Sequence, residues 1–408
     1  MAADKPLSFR DVDGEHFDTE TLLRNAAHQR DKNGYDDFLI IDVDSHHYEN
    51  EAFKEISDYI RDPVLRHEAK YQGTGHGGIT SELGNYQSMA GRVTRYPGRR
   101  KEQTPPKPHR DITLMLRWMD AMGVDIACMF PTPMLNLASC NRLDVQVGLA
   151  TAYNAWLCER ILQEEKRIKS MLYLPMHDPA ASLQIVKEFI DKAGVIGFMV
   201  TAPHYATFYD NNYARIYSML QERGLPLAFH AGFPSGDPGL KLTNRFIGMH
   251  ALGFPWFNML HMTNWLMNGM PERFPRLQTI WIESGLAWIP FLMQRLDNEF
   301  MMRSSDAPLL KKLPSEYMQE MFFSSQPMEK VNNKRALEVT FEMIKAPTQL
   351  LYSSDYPHWD MDLPSTIFDL PFLKKEEKIN ILGENARKLF GLAPGLSDTK
   401  MHRRAQKK

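Results

Sequence analysis

Cysteine is scarce, with three in 408 residues. Cys128, Cys140 and Cys158 are too few and too irregularly spaced for a disulfide framework or a zinc knuckle, so a reducing, cytoplasmic setting is expected. Long apolar runs are missing as well. No stretch approaches the roughly 18 residues of a membrane span, and the acidic start MAADKPLSFRDVDGEHFDTE has no signal-peptide core. A surplus of one charge sign is also lacking. The formal net charge is −2 with both signs interspersed, which provides no field to gather nucleic acid or an anionic membrane. Neither is expected as a partner. No GxGxxG follows the first apolar run, so the main mark of a dinucleotide-binding sheet is absent.

What the chain does have is a regular alternation. Eight short, nearly unbroken apolar runs read as strands buried on both faces. They are FLIIDV from Phe38 to Val43, DIACMF ending at Phe130, IKSMLYL ending at Leu174, VIGFMV ending at Val200, LPLAFH ending at His230, LQTIWIE ending at Glu283, EMFFSS ending at Ser325 and QLLYSSD ending at Asp355. Between them lie segments with helical spacing, such as DVQVGLATAYNAWLCERILQEE from Asp144 and KEEKINILGENARKLFG ending at Gly391. Strand–helix alternation predicts parallel strands with crossover helices, and eight units predict an α/β fold closed as a (β/α)8 TIM-type barrel. An open doubly wound sheet is the alternative.

Residues 37–395 would form the barrel, preceded by an N-terminal extension, 1–36, and followed by a basic tail, 396–408. The tail's end, KMHRRAQKK, has no apolar period and is expected to fray. The interval between the first and second strands is long enough to hold an insertion over 51–123. A long loop after a barrel strand lies on the catalytic face, so the insertion is a candidate lid or substrate wall, or else an oligomer contact. A homo- or hetero-oligomer is expected. On the helix after the fifth strand, Trp256, Phe257 and Trp265 read as core.

In such a barrel the chemistry sits at the C-terminal ends of the strands. That filter selects Asp44, His46 and Glu49 after the first strand, His230 at the end of the fifth, Glu283 at the sixth and Asp355 at the eighth. Asp44 and His46 are two apart and project the same way from an extended chain, as two ligands from one strand must. A single such residue is usually a hydrogen-bonded loop anchor. Several strand ends that all supply carboxylate or imidazole point instead to a metal. Glu49 has a competing reading as a salt-bridge partner at the rim. His204 and His358 follow the fourth and eighth strands, and Trp288 and Trp359 follow strand-end motifs; all four are expected to line a substrate pocket.

The motifs IDVDSHHYE, LAFHAG, FPRLQTIWIESGLAWIP and LLYSSDYPHWD, in this order, resemble those of the amidohydrolase-related proteins, nearest the branch of aminocarboxymuconate semialdehyde decarboxylase. The resemblance spans Phe38 to Leu392. It implies a metal-dependent barrel in which His-x-His after the first strand is matched by Asp44 and His46, so one imidazole has become a carboxylate. His230 and Asp355 match the retained ligands. The branch's catalytic histidine on the sixth strand is matched by Glu283, which leaves the acid/base to Glu283 or Asp355.

The expected function is therefore a metal-dependent hydrolase or non-oxidative decarboxylase of a small carboxylate- or carbonyl-bearing substrate. It would use a metal-activated water and a carboxylate acid/base, with a divalent ion, Zn, Mn or Fe. Four carboxylates and two histidines also match the inventory of dinuclear Fe or Mn sites. An oxygen-activating hydroxylase with two ions is thus the alternative enzyme. A structural metal-binding subunit of a hetero-oligomer is the alternative outside enzymes.

Overall fold

The computed structural model describes residues 19–72, 104–203, 205–232, 237–243, 245–329, 333–358 and 360–406. Its strands are β1 Ile41–His47, β2 Ile126–Pro131, β3 Ile168–Tyr173, β4 Val195–Thr201, β5 Leu227–His230, β6 Thr279–Ile282, β7 Phe322–Ser324 and β8 Leu350–Leu351. They lie in sequence order, every neighbouring pair parallel. All eight predicted strands are present. β8 is the shortest because the chain leaves ladder geometry after Leu351, yet it still closes the barrel. Val43 N donates to Tyr352 O at 3.0 Å and Asp355 N to Asp44 O at 2.8 Å, and Ser45 bridges Tyr356 in parallel. The fold is the expected (β/α)8 barrel.

Helices form where periodic apolar faces meet good termini. The helix Arg110–Met122 starts at His109, whose side chain accepts from Asp111 N, and ends at Gly123 with φ 77°, a left-handed cap that glycine adopts without strain. Asp178 caps Pro179–Phe189 through Ala181 N, with proline in the first turn, where its missing N–H costs nothing.

The stretch 51–123 divides in two. Helices Phe53–Asp58 and Pro63–Gln72 pack against the outer helix Leu143–Leu157, whereas Arg110–Met122 packs with the N-terminal helix Thr19–Asn33. Residues 73–103 of the expected insertion lie outside the described residues. Among the described residues no helix is long and apolar enough to cross a membrane.

The frayed tail is corrected. Asp398–Gln406 is a helix with Lys400 fully buried. The Lys400 ammonium donates to Asp125 Oδ2 at 2.6 Å and to Phe38 O at 2.7 Å, while Arg403 pairs with Asp36. Charge rather than an apolar face docks this helix, and hydrophobic periodicity does not report such an anchor.

Candidate metal centre

The mouth of the barrel is built at the ends of β1, β5, β6 and β8. Along β1 the register against β2 slips between Asp42 and Ser45. Such bulges re-aim side chains beside active sites, and this one falls at Asp44. His46 and His47 then diverge. His47 turns away from the cluster, its Nδ1 2.8 Å from Asp111 Oδ2 and its Nε2 2.8 Å from the Tyr153 hydroxyl. Asp44 and His46 join His230 in a buried group whose ligand atoms all lie within 4.8 Å of one another. His46, Asp355 and His358 form a second group of the same kind.

The two histidines of the first group are oriented alike. His46 Nδ1 is 2.8 Å from Pro131 O and His230 Nδ1 is 2.7 Å from Ala231 O. A carbonyl can only accept, so each Nδ1 carries a proton and each Nε2 faces the centre. His230 Nε2 is 3.1 Å from Asp44 Oδ1. His46 Nε2 is 3.0 Å from Asp44 Oδ1 and 3.3 Å from Asp355 Oδ1 but is aligned for a hydrogen bond to neither. Asp44 Oδ2, also buried, has no hydrogen-bond partner.

Buried polar atoms without partners are costly, and a cation shared by these carboxylates and lone pairs removes that cost. The donor set fits a divalent metal. Burial pushes the Asp44 carboxyl up, but the imidazoles of His230 and His46 outweigh it and hold it below the usual carboxylate range. Burial lowers the pKa of His46, partly offset by Asp44. An ionised Asp44 carboxylate and a His46 imidazole biased toward its neutral form both suit metal ligation.

Two non-glycine residues at the site have left-handed backbone, Glu283 with φ 58° and Asp355 with φ 56°. Such strain costs about 1–3 kcal/mol each and persists only where surroundings enforce it. At Asp355 the enforcement is visible. Asp42 accepts from Ser354 N at 2.9 Å, from Ser354 Oγ, and from Asp44 N at 3.2 Å, so one buried carboxylate fixes the segments that carry Asp44 and Asp355. Burial raises the pKa of Asp42 to about 7.

His358 Nδ1 lies 2.6 Å from Asp355 Oδ1 and 3.7 Å from Glu283 Oε1, its ring stacked on His46 at 4.3 Å. Its Nε2 meets Thr132 Oγ1 at 3.2 Å. Beside it is a small cavity lined by Thr132, Leu135, Asn136, Gly232, Phe254, Glu283 and His358. Asp44, His46, His230 and Asp355 therefore converge, with Glu283 and His358 at the cavity wall.

Other expected residues lie elsewhere. Glu49 is buried, but its oxygens accept from Thr132 N at 2.8 Å and Met134 N at 2.6 Å, so it anchors the turn after β2 and stands outside both ligand groups. Among the described residues no arginine pairs with it, unlike the salt bridge expected at the rim. Trp288 is packed in the core against Phe323, its Nε1 donating to Gly285 O at 3.0 Å, and does not line this cavity. His204 and Trp359 lie outside the described residues. Thr132, Asn136 and Phe254 were missed. Thr132 directly follows β2, so the strand-end rule extended to hydroxyls would have found it, whereas Phe254 sits mid-helix and has no such mark.

The family model described as Amidohydrolase matches residues 109–392. The chain is 22% identical over 296 residues to gamma-resorcylate decarboxylase from Rhizobium sp. (strain MTP-10005), covering 68% of this chain and 86% of that one. Among solved structures it is similar to 5-carboxyvanillate decarboxylase from Sphingomonas paucimobilis, with TM-score 0.63, 18% identity, and 87% and 100% of the two chains covered. It is likewise similar to 5-carboxyvanillate decarboxylase from Novosphingobium aromaticivorans DSM 12444, complexed with manganese and 4-hydroxy-3-methoxy-5-nitrobenzoic acid. There the TM-score is 0.61, the identity 20%, and the coverage 88% and 97%. With a match over more than half of its length, on a barrel whose strand ends bring together residues that could hold a metal ion, this chain belongs to the amidohydrolase family and is an enzyme.

Proposed function

We propose that the chain is a metal-dependent, non-oxidative decarboxylase of a small hydroxylated aromatic carboxylate. The observation that carries this reading is the pair of buried groups that share His46, Asp44–His46–His230 and His46–Asp355–His358, beside a cavity walled by Glu283 and His358. Curated and structural relatives that decarboxylate resorcylate and carboxyvanillate support it. Asp44, His46, His230 and Asp355 would hold the ion, and a bound divalent metal supplies a Lewis acid that orients and polarises the substrate's oxygens. Carboxylate and imidazole donors suit Mn, Fe or Zn.

The chain's own groups then manage one proton. In decarboxylation the bond from ring carbon to carboxylate breaks, its electron pair stays on the ring carbon, that carbon takes up one proton, and CO2 leaves. Glu283 is the proton donor in this reading, with His358 within 3.7 Å to exchange the proton with it and Asp355 fixing the imidazole. Leu135 and Phe254 supply an apolar part of the cavity wall, which limits water at that position.

One ion rather than two is favoured by a specific contact. Both ligand groups use His46, whose Nδ1 is committed to Pro131 O, so a single nitrogen would have to serve two ions. Against a purely structural site stand the cavity and the strained Glu283 at its wall. The test is to load the protein with manganese, offer hydroxybenzoates in heavy water, and follow CO2 release with deuterium entry at the vacated ring carbon. Both are expected together. Hydrolysis of an ester or lactone panel without CO2 release would overturn the reading in favour of a hydrolase.

A further inference from the structure

Glu283, at the cavity wall, sits on strained backbone with φ 58°. Its carboxyl has a narrow placement, with Oε2 3.4 Å from His230 Nδ1 and Oε1 3.7 Å from His358 Nδ1. Strain of this kind persists only where neighbours enforce it, and three neighbours hold this turn. Ser324 Oγ, at the end of β7, accepts from Glu283 N at 2.9 Å. Asn258 donates to Ser284 Oγ at 2.8 Å from the inner side of the helix Phe246–Met267. The core reading of that helix holds for Phe257 and Trp265, which are buried, and fails for Trp256, 43% exposed. The third neighbour is Glu329, which lies beyond the end of β7 and so escapes a search of strand ends. Its carboxylate accepts from Leu286 N at 3.0 Å and from Ala287 N at 3.0 Å, just ahead of the helix Trp288–Arg303. Gly285 precedes these amides with φ 71°, and a Cβ there would stand 2.5 Å from Glu329 Oε1 and 3.2 Å from Pro327 O. Only glycine lets the carboxylate come so close.

We propose that Glu329 is a positioning residue for the reaction, holding the turn that sets Glu283 at the cavity wall. The inference rests on the reading of Glu283 as proton donor. Amides at a helix start have no partner within the helix and carry partial positive charge, so a carboxylate is a strong acceptor for them. The turn is thereby pinned on both sides of its most permissive residue, by Ser324 at Glu283 N and by Glu329 at Leu286 N and Ala287 N. With Glu329 gone, Gly285 gains the freedom that lets the left-handed backbone at Glu283 relax, and the carboxyl leaves its place between the two imidazoles. A residue that only capped the helix would leave Glu283 where it is. Proton transfer is sensitive to such a shift, since a displacement of about 1 Å can cost on the order of 100-fold in rate.

Glu329→Ala, Glu329→Gln and Asp297→Ala in the full chain test the proposal. Asp297 accepts from Ser315 N at 2.9 Å at the start of another helix, Pro314–Met318, so its removal reports the loss of a cap alone. Glu329→Ala is expected to lower kcat about 100-fold with KM and metal content unchanged. The solvent deuterium isotope effect on kcat should rise as proton transfer becomes limiting, whereas a smaller fraction of folded enzyme would lower kcat without moving it. Glu329→Gln keeps one acceptor oxygen and should recover most of the loss, and Asp297→Ala should match the wild type in both readouts. Wild-type kcat in Glu329→Ala, or a fall in kcat with the isotope effect unchanged, overturns the proposal. A wild type that releases no CO2 defeats the decarboxylase reading instead, and hydrogen exchange of the Glu283 amide then decides this one. Faster exchange in Glu329→Ala than in the wild type supports it, and equal exchange overturns it. Should Glu329→Ala fail to fold, Glu329→Asp, too short to reach both amides, takes its place in each comparison.

Discussion

At the bottom of the barrel the Lys400 ammonium meets Asp125 Oδ2 at 2.6 Å and Phe38 O at 2.7 Å, and the other Asp125 oxygen accepts from Ser397 N at 2.7 Å. At the top, Asp44, His46, His230 and Asp355 crowd together with Asp44 Oδ2 and His46 Nε2 lacking hydrogen bonds. Both ends bury charge. The lower cluster is balanced by the chain's own groups, with a cation, a carboxylate and backbone donors all matched, so it serves as a staple. The upper cluster has more acceptors and lone pairs than donors, so it calls for a cation from outside. A buried polar group is informative when its partners are counted rather than when its burial is noted.

Three substitutions probe this contrast, taken from the largest effect to the smallest. Asp44→Ala removes a proposed ligand from the upper cluster. Loss of a metal's Lewis-acid role is worth several kcal/mol, so turnover should fall by roughly 10³-fold or more. The metal-free variant should melt only slightly below metal-free wild type, because Asp44 loses its contacts with His46 and His230 but no balanced lysine–carboxylate pair is broken. Steady-state kinetics and calorimetry on the same preparation read both effects.

Lys400→Met should do the reverse. It leaves Asp125 buried without its cation, at a cost of about 3–5 kcal/mol, while kcat of the folded protein stays level. Denaturant titration measures the loss, and adding Asp125→Asn should recover part of it. If Lys400→Met melts like the wild type, the lower cluster is no staple.

Glu49→Gln gives the smallest effect and concerns pH. Burial raises the Glu49 carboxyl to about 8, against the pull of the Thr132 and Met134 amides. A folded value above the unfolded one means that the native state retains a proton which the unfolded chain releases. The resulting stability is complete below about 4.5 and is lost as the pH rises through about 8. Glutamine cannot titrate, so melting temperature should slope less with pH between those values in the variant. Coincident slopes would show Glu49 ionised throughout, as its two amide donors alone would keep it.

Much of this contrast was legible in the sequence, though unevenly. The upper cluster was, because strand ends are marked by apolar runs that stop at a polar residue, and Asp44, His46, His230 and Asp355 all occupy such stops. Glu49 has the same mark and a different task. It lies beyond the end of β1, where the chain has turned toward the backbone after β2, and spacing from a strand does not reveal that turn. Trp288 follows a strand-end motif but begins a helix whose first turn faces the core. The Lys400 staple was illegible for another reason. Its partner Asp125 is 275 positions away, and a single basic residue in a basic tail carries no periodicity. The eight strands were legible as runs, while their ends moved by a few residues wherever the ladder outlasted or fell short of the apolar stretch, as at His47 and Leu351.

The central claim is that the upper cluster holds one divalent ion. Elemental analysis of protein prepared without added metal, alongside Asp44→Ala and Asp355→Ala, tests it most directly. One ion per chain is predicted for the wild type and close to none for either variant. Stoichiometric metal retained by both variants, or a metal-free wild type with undiminished turnover, would contradict the account.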